Sequence, residues 1–122
     1  VKVGIATDLG IAISMVKEHL KGSSLLVLEA NHDPEMLSNG PYPWYLKQRI
    51  KGRTGHLSNV DSKKLLEEIK HDQLDHVILA HLSSKNNTPD KALYEVGLSM
   101  ADCNTKLHVA TQEKCGDMIN LF

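Results

Sequence analysis

Val77-Ile78-Leu79-Ala80-His81-Leu82-Ser83-Ser84-Lys85-Asn86-Asn87-Thr88-Pro89 is the stretch from which the fold is read. An apolar run ends in a histidine, a polar loop follows, and Thr88-Pro89 supplies an N-cap and a first helical residue. A short apolar run between turn signals suits a strand buried on both faces. His81 then sits at the C-terminal tip of that strand, where open α/β sheets place their ligands.

Working outward, Val1 to Thr7 reads as a strand, and Leu25-Leu26-Val27-Leu28 as a second, fully apolar one. Strands are also expected at Leu107 to Ala110 and at Asp117 to Phe122, the last turned back through Lys114-Cys115-Gly116. Helical spacing runs from Ile11 to Leu20, with Thr7 or Asp8 as the expected cap. A single turn is expected from Pro34 to Ser38 and a basic helix from Trp44 to Lys51. Ser58 begins a capping pattern with Asp61, for a helix running to about Lys70. The helix that starts at Thr88-Pro89 continues to Met100. This order predicts an α/β fold, a mixed sheet flanked by helices.

The 122 residues allow one domain at most. A formal net charge of −1 gives no global attraction to a polyanion, so any phosphate affinity needs a local patch. Cys103 and Cys115 have no zinc-knuckle spacing and are expected to be reduced, in a cytoplasmic protein. No apolar run nears the roughly 18 residues of a membrane span. The chain opens inside a strand without a methionine, which leads us to expect part of a longer protein.

Three residues stand where chemistry is plausible. Asp8 lies between a strand and a helix; it is either a turn or capping aspartate, or a metal-binding carboxylate at a strand tip. His81 is either held by loop hydrogen bonds or a metal ligand through neutral imidazole. The two alone are too few for a catalytic zinc site. His56, in Gly55-His56-Leu57-Ser58-Asn59, is either a surface loop histidine or a proton donor to a leaving oxygen. His76 points away from His81 on the same strand, so the two are not expected to share a metal. His19, His71 and His108 read as surface or structural, and His32 is ambiguous. Lys47, Arg49, Lys51 and Arg53 follow Tyr42, Trp44 and Tyr45. They form either a solvated helix face or a surface that holds phosphates and stacks a base.

The series Ala6-Thr7-Asp8-Leu9-Gly10, Glu29-Ala30-Asn31-His32-Asp33, Gly55-His56-Leu57-Ser58-Asn59 and Ala80-His81-Leu82-Ser83 with Asn86-Asn87-Thr88-Pro89 resembles the C-terminal half of a metallo-β-lactamase-fold hydrolase. The nearest branch is the bacterial exonuclease-like one, related to tRNA 3′-processing endonucleases and cyclic phosphodiesterases. The resemblance covers nearly the whole chain. It implies two divalent metals, zinc or manganese, with Asp8 bridging both, His81 on the second, and His56 assisting phosphodiester cleavage. It also implies that the loop carrying Ser83, Asn86 and Asn87 borders the substrate. Lys47 and Arg49 tilt that substrate towards nucleic acid over a small phosphodiester.

The family's HxHxDH motif does not occur in this sequence. Residues 1–122 are therefore expected to be half of a domain, inactive alone and holding metal weakly or not at all. The family's face-to-face sandwich implies an open apolar sheet face here, hence self-association or pairing with the missing half. The competing expectations are a non-catalytic α/β interaction module and an unrelated doubly wound phosphate-binding domain.

Overall fold

The computed structural model describes residues 1–121. Four of the expected strands form: β1 (Val3–Ala6), β2 (Leu25–Glu29), β3 (His76–Ala80) and β4 (Lys106–Val109). Their order in the sheet is β1-β2-β3-β4, and each neighbouring pair is parallel. Parallel neighbours require crossovers. These are α1 (Ser14–Leu20) after β1, then α2 (Pro34–Asn39), α3 (Trp44–Lys51) and α4 (Asn59–Ile69) after β2, and α5 (Pro89–Gly97) after β3. A 3-10 turn over Leu98–Met100 extends α5.

The strand order explains where the core lies. Right-handed crossovers between strands laid down in one direction put all their helices on one face. Ala6, Leu26, Leu28, Val77 and Leu79 on that face are buried against Leu20 of α1, Leu65, Leu66 and Ile69 of α4, and Ala92 and Val96 of α5. Each fully buried leucine there contributes roughly 1.5–3 kcal/mol. The opposite rows carry Val3 and Ile5, 51% and 68% exposed, beside the half-buried Val27 and Ile78. An apolar sheet face therefore meets water, an uncommon state for parallel sheets.

The caps are local chemistry. Asp33 accepts from the Met36 amide, Ser58 from that of Asp61, and Thr88 from that of Lys91. Pro34 and Pro89 begin their helices. Two expectations fail. Helix α1 starts at Ser14 with Ile13 at the N-cap position and no side-chain cap, so neither Thr7 nor Asp8 caps it. Asp8 instead turns left-handed, with φ of 59°, and its carboxylate faces two histidines. The expected strand over Asp117 to Phe122 is not formed among the described residues, and Phe122 lies outside them. Met118 in this segment is 98% exposed and so packs against nothing in the core.

Candidate metal centre

Three adjacent strand ends build the site. Glu29 closes β2, opposite Ala80 of β3. Asp8 follows β1 by two residues and His81 follows β3 by one. Both Asp8 and His81 have positive φ, 59° and 58°, a conformation that costs a non-glycine residue about 1–2 kcal/mol. Such strain persists only where the surroundings impose it. At His81 they do so through the Asn31 side chain, which donates to the His81 carbonyl, and through the Ser83 amide, which donates to the Asn31 carbonyl.

His56 arrives from the loop after α3. Its amide donates to the Ile50 carbonyl, and Gly55 donates to Gly52. A Cβ on Gly55 would lie 2.1 Å from the Ile50 carbonyl oxygen, so only glycine allows this turn. A Cβ on Gly10 would lie 2.1 Å from the Gly52 carbonyl oxygen. The turn after Asp8 and the loop before His56 are thus in backbone contact.

At the centre, Glu29 Oε2 accepts from His56 Nδ1 at 2.9 Å and also from His81 Nδ1. Asp8 Oδ1 lies 3.5 Å from both nitrogens. The two rings meet edge to face with centroids 5.1 Å apart. Glu29 forms a fully buried floor, and Asp8, its side chain 70% exposed, forms the lip.

These four residues are the metal-ligand group found among the described residues, with donor atoms all within 4.8 Å of one another. The donor set fits a divalent cation. Mixed nitrogen and oxygen donors suit zinc and manganese. Glu29 Oε1 is buried without a hydrogen-bond partner among the described residues, the kind of orphan that an ion explains.

A cavity of about 590 Å³ opens from Asp8 and His81 towards Ser83, Asn87, Thr88 and Glu113. Ser83 Oγ accepts from the Asn86 amide, which shapes the loop. Asn87 and Asn59 exchange two 2.9 Å bonds between their buried amides. Asn87 also donates to the Ala30 carbonyl and accepts from the Thr88 amide, which leaves it little to offer a ligand. Asn86 is buried with its side-chain amide unpartnered among the described residues. Lys47 and Arg49 stand apart on α3. The Lys47 ammonium donates to the Ser38 carbonyl, while Arg49 is exposed.

The remaining histidines sort differently. His76 and His108 bond each other at 3.0 Å across β3 and β4, and His71 bonds the Ser23 carbonyl. His32 is buried, and that burial pushes its imidazole below its ordinary pKa. The residue that sequence reasoning gave no role is Glu29. Its signal was a carboxylate ending an otherwise apolar strand run.

No family model matches the chain. It is 39% identical over 95 residues to exodeoxyribonuclease YycJ of Bacillus anthracis, covering 78% of this chain and 36% of that protein. It is 35% identical over 88 residues to exodeoxyribonuclease WalJ of Streptococcus pneumoniae, covering 72% of this chain and 33% of that protein. The chain thus spans about a third of the length of the curated relatives it matches.

Proposed function

We propose that this chain is the C-terminal half of a metallo-β-lactamase-like hydrolase domain that cleaves phosphodiester bonds in nucleic acid with divalent metal. One observation carries the reading. Asp8, Glu29, His56 and His81, drawn from four separate segments, converge on a single knot of donor atoms at the strand tips. Similarity to two proteins named exodeoxyribonucleases supports the substrate class.

In this reading Asp8 and His81 hold metal. When bound, divalent ions supply a hydroxide nucleophile at neutral pH and polarise the phosphoryl oxygen. An ionised carboxylate only accepts hydrogen bonds, so Glu29 fixes the Nδ1–H tautomer of both histidines. That leaves Nε2 of His81 as the ligand nitrogen. His56, when both ring nitrogens carry a proton, gives its Nε2 proton to the leaving oxygen and returns to the neutral Nδ1–H form. The cavity bordered by Ser83 takes the part of the substrate nearest the reacting bond.

The remaining ligands, and the cover for the sheet face around Val3 and Ile5, come from a preceding half of the same domain. In this reading the protein works in the cytoplasm, where the free thiols of Cys103 and Cys115 stay reduced. Separately, no helix among the described residues is long and apolar enough to cross a membrane. The open sheet face also favours a second reading, a non-catalytic module that pairs with itself or with a separate catalytic half. Zinc or manganese titration of the full-length polypeptide and of its Asp8→Ala and His81→Ala variants separates the two. Unchanged metal content and unchanged phosphodiesterase activity in the variants would overturn the catalytic reading.

A further inference from the structure

Helix α3 has no buried residue. At its start Trp44 and Tyr45 are 73% and 74% exposed. It contains no acidic residue, and the structure divides its basic groups by task. Lys47 and Lys51 both reach back to Ser38, donating to its carbonyl and hydroxyl oxygens, and so brace the end of α2. Arg49 and Arg53 are exposed and have no ion-pair partner among the described residues. Tyr45 and Arg49 are four residues apart on one helix face, and Arg53 follows one residue beyond the C-cap Gly52.

That stripe ends at a pocket. A cavity of about 320 Å³ lies between α1, α4 and the Gly52-Arg53 turn. Its lining carries Lys17, Lys51, Arg53 and Lys64 against only Asp61 and Glu68. Glu68 is already engaged by Lys17 at 2.8 Å. Gly10 and Leu57 also line it, and these lie two residues from Asp8 and one from His56. The pocket's lining therefore includes close chain neighbours of the metal centre and is distinct from the cavity of Ser83 and Thr88.

We infer that α3 and this pocket form a track for single-stranded nucleic acid. Tyr45 stacks a base, and Arg49, Arg53 and Lys64 take successive phosphates leading to the centre at Asp8. This rests on the nuclease reading of that centre. The features match the general form of strand-binding surfaces, a positive groove with exposed aromatic platforms. Charge decides the occupant: with Lys17 paired to Glu68, Lys51, Arg53 and Lys64 face only Asp61, an excess of positive charge that suits a polyanion.

The test is fluorescence anisotropy of a labelled oligothymidylate on the full-length polypeptide, with EDTA present so that no metal contributes. Arg53→Ala with Lys64→Ala should weaken binding about ten-fold and shallow the log–log salt dependence by about 1.4, or 0.7 per lost phosphate contact. Tyr45→Ala should weaken binding about five-fold or more, and Tyr45→Phe should restore it. Lys91→Ala with Lys106→Ala, which removes equal charge elsewhere, should change neither quantity. Unchanged affinity and slope in the first pair would overturn the track, as would an equal effect of the control pair. Metal uptake by the same samples reports separately on the centre, so failure of the track and failure of the nuclease reading are distinguishable.

Discussion

Replacing Glu29 with glutamine changes one charge at the floor of the centre and almost no volume. The carboxylate accepts from Nδ1 of His56 at 2.9 Å and from Nδ1 of His81. Hydrogen bonds to a charged group contribute about 1.5–3 kcal/mol each, and neutral ones about 0.5–1.5. The substitution therefore removes about 1–1.5 kcal/mol from each of two bonds, or about 2–3 kcal/mol of the energy that aligns the imidazoles. Only the His81 bond orients a metal ligand, so at 1.4 kcal/mol per decade metal affinity should fall about 5- to 12-fold. That lies at the lower end of the roughly 10- to 100-fold effect of removing a group that orients a metal-binding histidine.

The assay is metal affinity by competition with a chromogenic chelator, at fixed pH, on the full-length polypeptide and its Glu29→Gln variant. Turnover of a small phosphodiester by the same samples should fall in parallel, because His56 loses the same partner. The melting temperature serves as the control for folding. Metal affinity within two-fold of the parent would refute the orienting role. A loss of more than about a thousand-fold would refute it as well, because that exceeds what an orienting contact supplies and would make Glu29 a ligand itself.

Other outcomes follow from the geometry around the centre. Asn87→Ala leaves both ends of the buried Asn59 amide without a partner and should cost about 3 kcal/mol in chemical denaturation, at about 1–3 kcal/mol per orphaned group. A cost below 1 kcal/mol with a raised KM would make Asn87 a substrate contact instead. Gly55→Ala forces a Cβ against the Ile50 carbonyl, so the turn must open and carry His56 with it; kcat should fall about a hundred-fold, as displacements near 1 Å do. Unchanged kcat would show that His56 is not held by this turn. Burial of His32 depresses its pKa below the ordinary 6.5, so below that pH the unfolded chain binds a proton that the folded chain refuses. Stability is then full above about pH 6.5 and falls as pH drops towards the folded pKa, by at most about 1.4 kcal/mol per unit from this group. Urea midpoints from pH 7 to pH 5 should show that fall in the parent and a flatter profile in His32→Asn.

The sequence exposes what is local. Apolar runs mark β2 and β3, and Ser58 and Thr88-Pro89 mark the starts of α4 and α5, because strand burial and capping depend on a few adjacent residues. Asp8 misleads for the same reason. An aspartate between a strand and a helix is the ordinary pattern of a cap, and nothing nearby in the chain reports its left-handed turn or the two histidines it faces. The segment after Lys114 has turn residues and apolar side chains, yet pairing along β4 needs a packing surface that local pattern does not supply. Glu29 was hardest to read. A charge at the end of an apolar run reads as the end of a strand, and only the convergence of positions 8, 56 and 81 gives it a purpose. Lys47 and Arg49, alike in sequence, part company because only Lys47 lies over the end of α2.

The site and the open sheet face share one cause. Strands added in one direction keep β1, β2 and β3 adjacent, so their C-terminal ends deliver Asp8, Glu29 and His81 side by side. The same order packs α1, α4 and α5 on one face and leaves Val3 and Ile5 bare on the other. A doubly wound order would have covered both faces, but it would have moved at least one of the three tips away from its neighbours. Placing the three donors on consecutive strands and exposing the far face are thus a single topological choice. A protein that uses this centre needs a second structural layer for stability as well as for further ligands. Substitutions that make the bare face polar, such as Ile5→Lys, should for that reason impair the centre at Asp8 in the full-length polypeptide while leaving the packing of α4 and α5 intact.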